Sequence, residues 1–172
     1  LSWNKNPESD VATYWIFRST ESDFTADEST LLDSSGTTLY FDTDILVNVH
    51  YYYKIKAVDR GGLQSSQSIT DTDIALFQPQ LLAPINGLLI VPPPIFSWLP
   101  VDNTVQYKIF VQTAMDTGEI WNETVGNTQI AAQYSGSTVL ESGKLYYWEV
   151  VTITKDPVRL NSFSITQQFQ IQ

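Results

Sequence analysis

The sequence predicts an all-β chain of two tandem β-sandwiches, and three observations support this. Short segments such as Tyr51–Ala57 alternate in period two and are rich in aromatic and β-branched residues, as strands are. Clusters of Gly, Pro, Asn, Asp and Ser separate these segments. The strand-like segments also recur in the same order in the second half of the chain, which indicates a duplicated domain.

The repeat sets the expected domain boundaries. Phe96-Ser97-Trp98 lies 95 residues after Leu1-Ser2-Trp3, Tyr107 lies 93 residues after Tyr14, and Tyr146 lies 95 residues after Tyr51. Three segments keep their order while length differences fall in turns, so we expect two homologous domains at residues 1–76 and 77–172. Residues 79–95 have no counterpart before Leu1. We therefore expect the first sandwich to lack its opening strand, with the sheet edge beside residues 1–4 uncovered or paired with another molecule.

The first domain can be divided into elements by composition. Two polar stretches, 4–10 and 21–33, are predicted loops, the second with a short edge strand near Leu31 and Leu32. Residues 71–73 are predicted to begin the exit toward a linker that Pro79 and Pro84 stiffen. The predicted strands are 1–3, 13–19, 38–42, 51–57 and 63–70, and the second domain repeats them from Phe96 onward.

Charge and composition exclude several classes of function. The chain has 19 acidic and 9 basic residues, a formal charge of −10, which argues against nucleic acid or anionic membrane partners. No run approaches the roughly 18 apolar residues of a membrane span, so membrane insertion is not expected. Cysteine is absent, which excludes disulfides, thiolate catalysis and zinc–thiolate sites. The only methionine is Met115, so we expect the chain to be a piece of a longer protein.

These segments resemble a known family. Leu-Ser-Trp at 1–3, Tyr-Trp-Ile-Phe-Arg-Ser at 14–19, Tyr-Tyr-Tyr-Lys-Ile-Lys-Ala at 51–57 and their second-half counterparts are similar to fibronectin type III domains of bacterial secreted and surface proteins. The resemblance implies two tandem immunoglobulin-like sandwiches with a tryptophan of the second strand in each core, Trp3 and Trp98. It also implies that Tyr51 and Tyr146 form tyrosine corners, each hydroxyl bonding to the backbone just upstream.

The resemblance also implies a location and a class of function. We expect an extracellular or cell-surface chain that serves as a non-catalytic spacer or protein-interaction module of a larger bacterial protein. Its partners would be other domains of that parent, or a protein or glycan ligand. The alternative is an accessory carbohydrate-binding module of a multidomain glycoside-active enzyme.

Strand alternation predicts the surface that could make such contacts. If Tyr14 and Ile16 point inward, their neighbours on the central strands point outward, together with Val58 and with residues of the second domain. This predicted contact surface comprises Trp15, Phe17 and Tyr52 in the first domain and Phe110 and Tyr147 in the second. Exposed aromatic clusters mark contact sites, but the same side chains could simply pair across strands and stiffen the sheet.

No catalytic or cofactor site is predicted. His50 is the only histidine and is interpreted as a structural surface residue. The neighbouring acids Asp42 and Asp44 are interpreted as solvated turn residues. Asp71 and Asp73 are weak candidates for a calcium site, because hard oxygen ligands near a domain junction could stiffen it. At Thr152 a buried hydroxyl would need a backbone partner.

Overall fold

The protein is described by a computed structural model that covers residues 1–154 and 160–172. In those residues all regular structure is β. The chain packs as two compact units, Leu1–Ala75 and Leu76–Gln172. The predicted all-β fold class of tandem immunoglobulin-like sandwiches is thereby confirmed, and each unit is described by itself below.

The first unit is built on one four-stranded antiparallel sheet. Its strands lie in the order β2-β1-β3-β4, so the predicted central strand does occupy an inner position. Ile16 on β1 pairs with Ile55 on β3 in the middle of the ladder. The bounds are β1 Val11–Ser19, β2 Leu31–Ser35, β3 His50–Asp59 and β4 Asp71–Ile74.

A second, thinner layer of the first unit covers one face of this sheet. The Trp3 amide donates to the Thr38 carbonyl (3.1 Å), and the Tyr40 amide donates to the Leu1 carbonyl (3.0 Å). The predicted strand at 38–42 is reduced to an isolated bridge at Leu39. Among the described residues no strand pairs with the other edge of residues 1–3. The small core between the layers contains Ile16, Tyr51 and Tyr53, with Trp3, Leu32, Tyr40, Val49 and Ile55 packed against it.

The second unit is a fuller sandwich of two sheets. A three-stranded sheet has the order β10-β7-β5, and a larger sheet has the order β6-β13-β11-β8-β9, with β12 also pairing with β11. All pairings are antiparallel except that of β6 with β13. The bounds are β5 Leu81–Ala83, β6 Leu88–Ile90, β7 Ile95–Trp98, β8 Gln106–Ala114, β9 Thr117–Gly126, β10 Ala131–Gln133, β11 Leu145–Ile153, β12 Leu160–Phe163 and β13 Gln167–Ile171.

Aromatic rings from both sheets fill the core of the second unit. Phe96 lies 4.9 Å from Trp148 and 5.5 Å from Phe169 between ring centroids, and all three side chains are fully buried. The Trp148 indole donates to the Pro84 carbonyl at 2.7 Å, which joins the opening strand region to the centre of the core. Complete burial of each large apolar side chain stabilises the fold by about 1.5–3 kcal/mol.

The last strand of the first unit lies later in the chain than predicted. Residues 71–73, expected to begin the exit toward a linker, form β4 and pair with β3, whereas 63–70 make only an isolated bridge at Gln64. Serine side chains explain the interruption. The Ala57 and Ile55 amides donate to the hydroxyls of Ser65 and Ser68 instead of to backbone carbonyls, both at 3.0 Å. The chain there is held beside β3 without a regular ladder.

The second unit repeats this serine arrangement. The Val150 amide donates to the Ser164 hydroxyl (3.0 Å) while the Ser164 amide donates to the Val150 carbonyl (2.9 Å). Ser68 makes the same pair of bonds with Ile55. Both serines begin the tripeptide Ser-Ile-Thr, at 68–70 and 164–166, a second match between the halves that the sequence prediction did not use. Thr152 is equally satisfied, because its hydroxyl accepts from the Ser162 amide at 3.0 Å, as expected.

Ser164→Ala is expected to lower the free energy of unfolding of the second unit by about 1–3 kcal/mol, because the buried Val150 amide loses its acceptor. Urea denaturation followed by tryptophan fluorescence measures this change. Ser142→Ala, at an exposed turn position of the same unit, is the control and should change the free energy by less than about 0.5 kcal/mol. An equal loss in both variants would contradict the assigned role.

Candidate functional site

The four residues predicted to have structural roles occupy the interior or its border. Trp98 is fully buried, whereas Trp3 is half-buried against the smaller core of the first unit. The Tyr51 hydroxyl accepts from the Leu46 amide at 3.2 Å, and the Tyr146 hydroxyl accepts from the Glu141 amide at 3.0 Å. Both tyrosines therefore bond to the backbone five residues upstream, which is the tyrosine-corner geometry that the resemblance implies.

A loop covers the outer face of the first sheet, the face turned away from the core. This covering loop, residues 20–30, packs Phe24 and Ala26 onto Phe17, which is only 2% exposed. Trp15 and Tyr52 lie at the margin of the cluster and are half-buried. The expected exposure of Phe17 is therefore wrong, because the alternation of a strand indicates which face a side chain is on but not whether another segment covers it.

Polar contacts with the central strands hold the covering loop in place. The Lys54 ammonium donates to the Phe24 carbonyl, and the Lys56 ammonium donates to the Ala26 carbonyl at 2.7 Å. The Ala26 amide in turn donates to the side-chain carbonyl of Gln67 at 2.9 Å. Lys54 is 7% exposed as a result, and Val58, predicted to point outward, is 5% exposed. The aromatic face of the first unit is thus largely occupied by its own chain.

The corresponding stretch of the second unit has a different conformation. β8 and β9 form a hairpin with a tight turn at Met115 and Asp116, in which Asp116 and Gly118 adopt positive φ angles of 59° and 69°. Asp and Gly tolerate this backbone region better than most residues. Residues 117–126, which follow β8, extend along the edge of the sheet as β9. In the described residues the stretch after β8 therefore forms strand β9 rather than a covering loop.

Side chains of β8 and β11 form the outer face of the second unit. Tyr147, a residue of the predicted contact surface, is half-buried, as Trp15 and Tyr52 are. Phe110 is only 9% exposed, so its expected exposure is wrong: the Lys108 ammonium lies 4.8 Å from the ring centroid, and neighbouring strands flank it. Of Phe110 and Tyr147, the tyrosine is therefore the less buried residue.

Two polar residues on this face were not singled out from the sequence. Gln112 is 8% exposed, and within the described part of the chain its Oε1 has no hydrogen-bond partner. Glu149 is half-buried, and burial, followed by the negative charge of Asp116, raises the pKa of its carboxyl above the ordinary value. Alternation places both residues outward, but nothing in the sequence indicates how far each side chain is buried.

A partly buried polar network lies at the border of the first core. Asp42 accepts from the Tyr53 hydroxyl at 2.8 Å and forms an ion pair with Arg18 at 2.9 Å. The Asp42 side chain is only 7% exposed, so the interpretation of this acid as a solvated turn residue is wrong. Burial raises the pKa of Asp42, but the hydrogen bonds from Tyr53 and Arg18 outweigh it and the net shift is downward. Burial and the bond to Asp42 also raise the pKa of Tyr53.

The remaining candidate site residues lie on β3 and β4. Asp71 and Asp73 pair in register with Tyr53 and Tyr51, and an Asp73 carboxylate oxygen accepts from the Ile74 amide at 2.8 Å. The described residues contain no group of three or more His, Asp or Glu side chains placed to hold a metal ion. His50 is exposed, with its ring 6.5 Å from that of Tyr52 between centroids.

The strand orders define the class of protein as a tandem of fibronectin type III-like β-sandwiches. No family model matches the chain, and no curated protein does. Within residues 1–154 and 160–172 no helix is long and apolar enough to cross a membrane.

Solved structures with some likeness to the chain include tandem fibronectin type III domains. The FN1–FN3 domains of chicken CNTN1 are 14% identical, with a TM-score of 0.48 over 93% of this chain and 56% of that one. The chicken interferon gamma receptor alpha chain is 16% identical, with a TM-score of 0.40 over 98% and 89% of the two chains. The central fibronectin-III array of RIM-binding protein is 12% identical, with a TM-score of 0.34 over 97% and 59%. The chain thus spans little more than half the length of the first and third structures.

Proposed function

We propose that this chain is a non-catalytic spacer or protein-interaction module of a larger extracellular bacterial protein, with domains at residues 1–76 and 77–172. The half-buried aromatic and acidic side chains on the outer face of the second unit are the observation that carries the interaction role. There Tyr147 and Glu149 present an aromatic ring and a carboxylate that the core does not use. Aromatic side chains with a polar rim are typical of protein contact surfaces.

Replacement of both units within the parent protein tests this proposal. Substitution by an unrelated tandem of sandwiches of equal length should preserve a spacer role and abolish an interaction role. For an interaction role, Tyr147→Ala alone should weaken partner binding about tenfold or more, whereas Tyr52→Ala, at the matching position beside the covering loop, should change it less than threefold. A parent protein that functions unchanged after deletion of both units would overturn both roles.

Carbohydrate binding is the second candidate, and the half-buried rings of Trp15 and Tyr147 favour it, because neither is fully enclosed. Aromatic rings can stack against the apolar faces of sugars, and these two lie on the outer faces of the two sheets. A glycan array probed with the chain would support this function if the signal disappeared in Trp15→Ala or Tyr147→Ala. A signal that survived in the double variant would exclude these rings as the binding site.

A further inference from the structure

The turn between β5 and β6 contains an asparagine followed by a glycine, the only such pair in the sequence. Asn86 is exposed, and Asn86 and Gly87 have positive φ angles of 58° and 72°. The Leu88 amide donates to the Ile85 carbonyl at 3.1 Å and closes a turn of type I′ around the two residues. Asn and Gly adopt this turn more readily than other residues, so the fold itself favours the pair at this place.

The same pair can react without an enzyme. The Gly87 backbone nitrogen loses its proton and attacks the side-chain carbonyl carbon (Cγ) of Asn86. The new C–N bond closes a succinimide ring, and the Cγ–Nδ2 bond breaks, so that the nitrogen of the side chain leaves as ammonia with the proton. Water then opens the ring at either carbonyl group and gives aspartate or isoaspartate. Glycine has no side chain to hinder the attack, and asparagine is among the chemically labile residues.

Hydrogen bonds of the folded chain restrain this reaction. The Gly87 amide donates to the Gln168 carbonyl at 2.9 Å, and the Asn86 amide donates to the side-chain carbonyl of Gln167 at 3.3 Å. An amide that donates a hydrogen bond keeps its proton and its position, so it is a poor nucleophile. Residues 86–88 must therefore separate from β13 before the ring can close.

β6 is the element that has to open, and little holds it in place. It is three residues long, lies at the edge of the larger sheet and pairs in parallel with Phe169–Ile171. Leu88 and Leu89 are 56% and 53% exposed, whereas Ile90 packs against the core of the second unit. A short edge strand with few buried apolar contacts opens at a lower free energy than the whole unit.

We propose that Asn86 is a deamidation site whose reaction is limited by opening of β6, and that the isoaspartate product prevents β6 from pairing with β13 again. This inference goes beyond the interaction role and does not depend on it. In isoaspartate the backbone runs through the side-chain carbon atoms and is one carbon longer, so the type I′ turn is lost. The outer edge of β13 is then uncovered, and an uncovered strand edge pairs with other chains. Ageing at this turn thus leads to self-association.

Incubation of the full chain at pH 8, followed by proteolysis and mass spectrometry, tests the reaction. The peptide that contains Asn86 should gain an OH in place of NH2 and separate into aspartate and isoaspartate forms. A synthetic peptide of residues 81–91 should react at least about tenfold faster, because nothing restrains its glycine amide. Asn103 is the matched control: it is exposed with a φ of 61°, but β-branched Thr104 follows it, and it should stay unmodified.

Two outcomes of this incubation would overturn the proposal. If Asn86 reacted as fast in the chain as in the synthetic peptide, the fold would not limit the reaction. If Asn86 were still intact after about one hundred half-times of the peptide reaction, the turn would not be a deamidation site, because β6 would open too rarely.

Two alanine variants test the role of β6. Ile90→Ala should speed the reaction of Asn86 about fivefold, because it removes apolar contacts that hold β6 against the core. Ile120→Ala, at another partly buried position on the same core, should change the rate by less than about twofold. Equal acceleration in both variants would mean that the reaction follows unfolding of the whole unit rather than opening of β6.

The two products separate the effect of the longer backbone from that of the added charge. Asn86→Asp has the charge without the extra carbon, and Asp tolerates a positive φ, so this variant should keep the melting temperature and the monomeric elution of the natural chain. The isoaspartate form, purified by chromatography, should melt at a lower temperature and elute partly as larger species. An isoaspartate form that matched Asn86→Asp in both measurements would refute the loss of the β6–β13 pairing.

Discussion

Trp148→Ala is expected to lower the free energy of unfolding of the second unit by about 3–5 kcal/mol, the usual effect of truncating a buried large aromatic residue. The side chain is fully buried against Phe96, and its loss also removes the hydrogen bond that the indole donates to the Pro84 carbonyl. That bond contributes about 1 kcal/mol.

Guanidinium denaturation followed by circular dichroism at 25 °C measures this effect. Tyr147→Ala is the matched control, because Tyr147 precedes Trp148 on β11 but faces outward and is half-exposed. It should lower the free energy of unfolding by less than about 1.5 kcal/mol. If the two variants were equally stable, the assignment of inward and outward faces on this strand would be wrong.

Asp42→Asn is expected to lower the free energy of unfolding of the first unit by about 2–4 kcal/mol at pH 7. The Asn side chain keeps the size of Asp but leaves the Arg18 guanidinium with only the exposed Asp44 carboxylate as counter-ion, and removing one partner of a largely buried pair is strongly unfavourable. Asp44→Asn is the control, since the Asp44 side chain is 98% exposed and lies 3.8 Å from Arg18. Exposed pairs of this kind contribute at most about 1 kcal/mol.

The pH dependence supplies a second measurement of the same network. The pKa of Asp42 is lower in the folded chain than in the unfolded one, so its stabilising contribution is fully present above the unfolded value of about 3.9. It is lost as the pH falls through the folded pKa. Unfolding measured from pH 7 to pH 3 should therefore show a steeper loss of stability in the natural chain than in Asp42→Asn. Parallel curves would contradict a depressed pKa at Asp42.

Period-two patterning and the internal repeat were sufficient to predict the fold class, because both are visible in the order of apolar and polar residues along the chain. The side chains of Tyr14, Ile16, Tyr51 and Tyr53 alternate with their neighbours and are buried, as a strand facing a core requires. The predicted position of the last strand of the first unit was wrong. The hydroxyls of Ser65 and Ser68 accept hydrogen bonds that backbone carbonyls would accept in a regular ladder. A serine hydroxyl that accepts in place of a backbone carbonyl does not change the order of apolar residues, so the pattern could not predict this interruption.

The outer faces could be predicted only in part. Alternation placed both Phe17 and Tyr147 on outer faces. Phe17 is nevertheless buried beneath Phe24, whereas Tyr147 is only half-buried. The difference comes from the segment that follows β1 in the first unit and the segment that follows β8 in the second. Residues 20–30 are turn formers of low strand propensity, and residues 117–125 contain Ile, Trp, Val and Thr and extend as β9. Glu149 and Gln112 were missed because their environment depends on that long-range outcome.

The covering loop has a consequence for binding stoichiometry. Duplication of a domain ordinarily gives two equivalent surfaces, and two linked surfaces raise avidity by increasing the effective local concentration. Here the Phe24 and Ala26 side chains occupy the face of one copy, so only the other copy can present it to a partner. The chain should then bind a ligand of that face at a ratio of one to one.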